Sequence, residues 1–418
     1  MFLRQSTDLA WDVVFDQTTT RHPSTTRHRT SVNTHLVDKL TQSKDLYKSK
    51  SRPSNMATLE PAIPQHLQKP RTCPVSKPPN YIPPFPSYCA RFPNLMSDLV
   101  MASIGAQYPS KDAFSSSAIE KIKTFMTTSS SLSLPSFWET TSVTDKRGFY
   151  HISVVAYWPS STKFESWKAD SGFEAWWQST DREGDGHGWF LEVFMPPMDR
   201  FETVFSNSEV PEGAANMREE ISGEIGEHGY WGSMRDRLPA AQDDQLGGTQ
   251  PGAAAQRDGQ SASAPSDEYS RRIRVPGKNN LCVIRSGQNW STTLPAERKL
   301  YLDTMHPVLI QGMEFLRDQG KSIGCYANNL WDIVDSSTYE ANLEKTYGLG
   351  FFDDLGSLER WSKSHQTHIN IFGGFLQYAK KLDNVLSLQL YHEVYVLEEG
   401  QQFFEYVGCH GETGMLNA

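Results

Sequence analysis

Residues 358–397 read LERWSKSHQTHINIFGGFLQYAKKLDNVLSLQLYHEVYVL. Leu358, Trp361, His365, His368, Phe372 and Phe375 recur at steps of three and four, which predicts a helix carrying all six on one face. Leu388, Leu390, His392, Val394 and Val396 then alternate, as the residues of a strand do. Histidines therefore stand in apolar rows on two successive elements. A side chain that is polar and often charged near neutrality needs a partner when it is buried there. An iron or zinc ion, a cofactor or a hydrogen-bonded core site would each supply one. A lone histidine on an apolar face is more often a satisfied core residue, so the pattern by itself leaves these alternatives open.

The rest of the chain narrows the class of protein. Its 418 residues are enough for one large domain or two ordinary ones, with ample core. Eleven tryptophans point to deep packing or a large apolar pocket. The net charge is −9 and no basic stripe is present, which argues against a nucleic-acid partner. The five cysteines, Cys73, Cys89, Cys282, Cys325 and Cys409, form no CxxC pair or CxxCH haem-attachment motif. A reducing, cytoplasmic setting suits them. No apolar run approaches ~18 residues, so no membrane-spanning segment is expected.

Residues 1–55 are rich in Ser, Thr, Arg and Lys and read as a disordered N-terminal extension to a domain spanning 56–418. Asp8, Asp12 and Asp16 argue against a mitochondrial presequence, since those peptides avoid acids. The Pro-dense stretch 70–90 predicts an extended arm. A helix is expected over 112–128, a strand over 148–158, a Trp-rich helix with loop over 163–179, and extended segments over 189–196 and 199–207. The low-complexity stretch 240–270 reads as a flexible insertion. One strand is expected over 273–286, and a helix over 295–319 that Pro307 should kink or split. A faint repeat relates YW…FESWK (157–168) to FF…LERWS (351–362), each followed some thirty residues on by a strand, one bearing Glu202 and the other His392. That suggests duplicated strand–helix halves with helices against an antiparallel sheet, an α+β fold.

HQTH (365–368) lacks the HExxH or cysteine context of a zinc site, whereas an axial haem ligand needs only one histidine and an apolar slot. His392, between Tyr391 and Glu393, is a candidate acid–base group. Ser286, in IRSG, lacks the GxSxG context of a nucleophile and suits hydrogen bonding instead. Arg235 and Arg237, with Glu202, Glu224 and Glu227, are surface pairs or contain one buried ion pair. His187 and His410, in glycine-rich loops, read as structural. EHGYWGSMRDR (227–237) is too particular for an ordinary surface helix, yet physics alone assigns it no role.

Taken together, ISGEIGEHGYWGSMRDRLP, VIRSGQNW, LYLDTMHPVL, GMEFLRDQG, ERWSKSHQTHINIF, LYHEV and GCHGETGML resemble segments of the aldoxime dehydratases, in the same order. The resemblance covers roughly 59–418, and LEPAIPQHLQKPRT (59–72) resembles the family's opening, which favours Met56 as the start. It implies a ferredoxin-like dimeric α+β barrel holding haem b noncovalently, and a lyase that converts R–CH=N–OH to R–C≡N and water. In that picture ferrous haem binds the oxime nitrogen. His368 is the axial iron ligand, His392 the distal acid–base residue, and Ser286, Arg237 and Glu202 complete the distal set. A peroxidase or chlorite dismutase-like enzyme on a related barrel, or a non-catalytic haem-binding protein, would be the alternatives.

Overall fold

The computed structural model describes residues 59–128, 133–248 and 271–418. The N-terminal extension and positions 249–270 of the expected insertion lie outside the described residues. In chain order the strands and helices are β1 (Ala90–Arg91), β2 (Val100–Tyr108), α1 (Ser116–Thr128), β3 (Phe137–Thr144), β4 (Tyr150–Trp158), α2 (Ser161–Asp170), α3 (Phe173–Gln178) and β5 (Gly188–Phe194). Next come β6 (Phe201–Phe205), β7 (Glu220–Ile221), α4 (Ser233–Arg237) and β8 (Arg272–Val275). The last group is β9 (Leu281–Asn289), α5 (Pro295–Leu300), α6 (His306–Gln319), β10 (Cys325–Ile333), β11 (Lys345–Phe352), α7 (Leu355–Ser364), α8 (Gln366–Lys381), β12 (Gln389–Leu397) and β13 (Gln402–Val407). The α+β expectation holds.

Eleven strands form one sheet in the order β6-β12-β9-β11-β10-β3-β4-β2-β5-β13-β8, with every neighbouring pair antiparallel. Within it, one run of four strands lies β5-β2-β4-β3 and another lies β12-β9-β11-β10. The runs meet where Asp332 and Ile333 of β10 pair with Ser142 and Thr141 of β3. Each has a glycine on the strand that comes first in the chain, beneath an aromatic ring of the strand that comes last. Gly105 pairs with Phe190 and Gly287 with Tyr391, and a Cβ on either glycine would come within 2.3 or 2.1 Å of that ring. Only glycine leaves space for a ring at that distance. Counted from these two contacts, Leu191 and Glu192 of β5 hold the positions in their run that His392 and Glu393 of β12 hold in theirs. The strand bearing Glu202 is instead β6, which pairs with β12 at the sheet's edge.

The helices cover the two runs differently. Over the first, Trp158, Trp167, Phe173 and Trp177 are buried against one another, with Trp158 and Trp167 ring centres 4.6 Å apart. Over the second, α7 packs Leu355, Leu358 and Trp361 against Phe352 and Val394. Asp354 caps α7 by accepting a 2.7 Å bond from the Ser357 amide. The far face of β12 is buried too: Glu393 accepts from Tyr157 Oη (3.1 Å), Tyr395 Oη and the Ala214 amide (2.6 Å). Beside it the fully buried Arg285 donates to Tyr157 Oη (2.6 Å) and Glu139.

Three expectations are corrected, and one, the kink or split of the 295–319 helix at Pro307, is met. The helix expected to carry both HQTH histidines on one face is two helices, broken at His365, whose backbone is extended (φ −87°, ψ 134°). His365 caps α8 through Thr367 and stacks on Phe315 at 3.9 Å. The strand expected over 273–286 is β8 and β9, separated because Pro276 cannot donate to a ladder and Gly277 packs against the Glu399 carbonyl. The 295–319 helix bulges just before Pro307: Tyr301–Met305 form a π-turn in which the His306 amide bonds the Tyr301 carbonyl, five residues back. Of the stretch expected as a flexible insertion, Ala240, Ala241 and Leu246 are instead buried in the core with Leu238. No helix among the described residues is long and apolar enough to cross a membrane, and the five cysteines are free and buried.

Candidate active site

The second strand run bounds a cavity with a mostly apolar wall. It lies between α8 and the π-turn on one side and β6, β9 and β12 on the other, and encloses about 1140 Å³ of free space, mouth included. Phe85, Phe205, Met305, Leu309, Phe372 and Phe375 make most of its wall apolar. His368, His392, Ser286 and Arg237 all face it, while Glu202 stands behind Arg237. The structure thus brings together all five residues singled out from the sequence. His365 is not among them.

His392 and Ser286 are register partners on β12 and β9, so their side chains leave the sheet side by side on the cavity face. The Ser286 hydroxyl makes no hydrogen bond with a described residue. Arg237, at the end of α4, grips the Glu202 carboxylate with two parallel bonds, Nε to Oε2 at 2.6 Å and Nη2 to Oε1 at 2.9 Å. Its Nη1 donates to the Glu227 carbonyl at 2.7 Å. His392 Nε2 completes the set, 2.8 Å from Arg237 Nη2 and 3.1 Å from Glu202 Oε1. Of the sequence alternatives for these charges, a buried pair is correct for Arg237 and Glu202, whose side chains are each 2% exposed. Arg235 instead forms a half-buried pair with Glu359 at 2.8 Å.

Burial pushes the Glu202 carboxyl up, but the adjacent Arg237 and His392 outweigh it and hold the pKa at about 2. Replacing Glu202 with Ala would leave the guanidinium buried and unpaired. The expected cost is about 3–5 kcal/mol, read as a lower denaturant midpoint at unchanged slope. An unchanged midpoint would mean that Arg237 finds solvent by rearrangement.

His368 sits on the opposite wall, its ring against Trp361 (centres 4.8 Å) and Trp231 (6.0 Å). The Ser362 carbonyl favours a proton on this ring, but no hydrogen bond of good geometry forms at the buried Nδ1. Burial lowers its pKa to about 4, so the imidazole is neutral at pH 7 and able to ligate a metal.

One cavity residue had no signal of its own in the sequence. His228 is 4% exposed; its Nδ1 lies 3.2 Å from Ser87 Oγ, and its Nε2 has no partner. Burial, then the nearby Arg237 and Lys77 charges, lower its pKa to about 4 as well. His368 and His228 must therefore stay neutral in the fold, whereas in the unfolded chain they take protons near 6.5. Stability of the haem-free protein is then complete above pH 6.5 and falls as pH drops through 6.5 toward 4, by on the order of 3 kcal/mol per ring. Glu202 extends the decline from about 4.5 toward 2 by the same linkage. Denaturant unfolding between pH 7.5 and 4.5 checks this, and a flat profile would contradict it.

A second histidine cluster lies elsewhere. Asp145 Oδ2 is 2.9 Å from His151 Nε2 and 2.6 Å from His410 Nε2. The Glu412 amide donates to His410 Nδ1 at 3.2 Å, which fixes that ring's proton at Nε2, where it points at Asp145. This cluster is a hydrogen-bonded tie between the C-terminal loop and the β3–β4 turn, as the structural reading of His410 expected. His187 stacks on Tyr108 in its loop.

Comparison with known proteins places this site in a family. Residues 102–415 match the model of the haem-containing dehydratases. The chain is 37% identical over 360 residues to an aliphatic aldoxime dehydratase of Rhodococcus erythropolis, covering 86% of this chain and 98% of the relative. It is 31% identical over 343 residues to a phenylacetaldoxime dehydratase of Bacillus sp. (strain OxB-1), covering 81% and 93%. A crystal structure of an aldoxime dehydratase in complex with butyraldoxime superposes with a TM-score of 0.76 at 36% identity, covering 87% of this chain and 98% of that one. With the match spanning nearly the whole described region, cavity included, this chain belongs to the haem-containing dehydratase family.

Proposed function

We propose that this protein dehydrates aldoximes, R–CH=N–OH → R–C≡N + H2O, with haem b held in the cavity and active in its ferrous state. The observation that carries the reading is one mostly apolar cavity with a neutral, half-buried imidazole on one wall and the His392–Arg237–Glu202 set with the Ser286 hydroxyl on the other. That arrangement fits haem: an apolar slot, a neutral imidazole at His368 able to ligate iron, and a polar face left for substrate. Bound haem supplies an iron able to take a nitrogen ligand and donate electron density to it.

The chain's own groups do the rest. The Ser286 hydroxyl hydrogen-bonds the oxime oxygen and orients it. His392 carries the proton. Its Nε2 is engaged by Arg237 and Glu202, which leaves Nδ1 as the atom that gives a proton to the departing hydroxyl. Once Nδ1 is bare, the remaining Nε2–H donates to Glu202 Oε1, and Nδ1 can remove the proton from the oxime carbon. Arg237 fixes that carboxylate and adds a positive field to the pocket. The apolar wall excludes bulk water from the charged steps.

We read the two strand runs as duplicated ferredoxin-like halves of one domain, supported by their shared strand order and by the Gly105–Phe190 and Gly287–Tyr391 contacts. Exposed Ile369 and Leu376 on α8, and Val385 just after it, support a homodimer. The test of function is gas chromatography for nitrile, with purified, dithionite-reduced protein under argon and an alkyl and an arylalkyl aldoxime as substrates. Nitrile from either supports the reading; none from both overturns it.

A further inference from the structure

We propose that His228 is a second contact to the oxime oxygen, a neutral hydrogen-bond donor preset by Ser87; this rests on the dehydratase reading above. The donor would bind the oxime hydroxyl before N–O cleavage and the water formed from it afterwards.

Three observations converge on this residue. First, its Nε2 is buried in the cavity wall with no partner, although a buried polar atom is normally satisfied. Something that fills the cavity must complete it. Second, Ser87 can select its tautomer. Ser87 Oγ lies 3.2 Å from His228 Nδ1 and has no other hydrogen bond with a described residue; when the hydroxyl donates to Nδ1, the ring's own proton sits at Nε2, facing the cavity. Third, its position is fixed from both sides. The Arg237 guanidinium that touches His392 with Nη2 also bonds, through Nη1, the Glu227 carbonyl just before His228. From the other side the Pro-rich arm holds the loop: Tyr81 Oη bonds the His228 carbonyl at 2.9 Å, and Phe85 lies against the ring at 5.3 Å. One guanidinium thus places two imidazoles on the same cavity.

The two imidazoles differ in what they can do. Nearby Arg237 and Lys77 disfavour a charge on His228, and its pKa of about 4 leaves it neutral across the working range. It can donate a hydrogen bond but cannot serve as the acid. His392, against the Glu202 carboxylate, has a partner for its imidazolium.

The experiment compares full-length, haem-loaded wild type with His228→Leu, His228→Gln and Ser87→Ala. Three quantities are read: haem per chain, the shift of the haem band on titrating butyraldoxime into oxidised protein, and the pH dependence of kcat and kcat/KM for the reduced protein. For His228→Leu the expected result is unchanged haem content, weaker aldoxime binding, and kcat/KM lower by about tenfold to a hundredfold, with the pH profile unshifted. His228→Gln, which can still donate, should recover part of the loss, and Ser87→Ala should fall between. Wild-type binding and turnover in His228→Leu would overturn the proposal. So would loss of haem, or a moved limb in the pH profile. Should wild type itself form no nitrile, the dehydratase reading fails, while the aldoxime titration still reports separately on His228.

Discussion

The His368→Ala protein is expected to fold and to emerge without haem. The imidazole is the one group on its wall of the cavity placed and protonated to bond iron, since His365 is turned away onto Phe315. The remaining wall is largely apolar and can hold a porphyrin only by contact. Removing the iron bond should therefore reduce haem content by at least about tenfold, the scale on which losing ligand geometry alters metal affinity. Absorption per chain measures this directly, and circular dichroism checks that the sheet persists. Because Trp361 and Trp231 close around the ring, truncation also leaves a void, so a modest fall in thermal midpoint should accompany the loss. Full haem content in this variant would place the iron ligand elsewhere.

The second large effect is expected at His392. His392→Ala removes the only imidazole paired with a buried carboxylate in the cavity and leaves the opposite wall intact. Haem content should match wild type while kcat falls by about 10²–10⁴, the usual contribution of a placed acid–base group. The loss should not be recovered by raising aldoxime concentration, since the missing interaction belongs to the reacting state. Near wild-type turnover would assign the proton to another group.

Much of this site was legible in the sequence, though unevenly. The His392 strand was plain from its alternation. The opposite row, Tyr391, Glu393 and Tyr395, was not, because both faces of β12 are buried and its polar face is satisfied by Tyr157 and Ala214, far away in the chain. Arg285, next to Ser286, escaped for the same reason: its partners Glu139 and Tyr157 lie on strands of the other run. The break at His365 carries no proline or glycine, and a histidine acting as N-cap looks locally like one continuing the helix. Pro307 did announce an irregularity, but not that an extra residue would be taken into the turn before it. The Arg237–Glu202 pair was visible only as one option among several, since 35 residues separate the partners and a fold must decide which charges are buried. His228 stood in a stretch marked as unusual, and its meaning comes from Ser87, 141 positions away. The family resemblance named the five residues that the structure gathers at this cavity, whereas periodicity alone had reached only the histidines.

A crystal structure of the haem-loaded protein with an aldoxime tests the central claim most directly. It should show iron bonded to a ring nitrogen of His368, with the substrate's oxygen on the side of Ser286 and His392. Iron bonded to any other residue, or haem outside this cavity, would contradict the account.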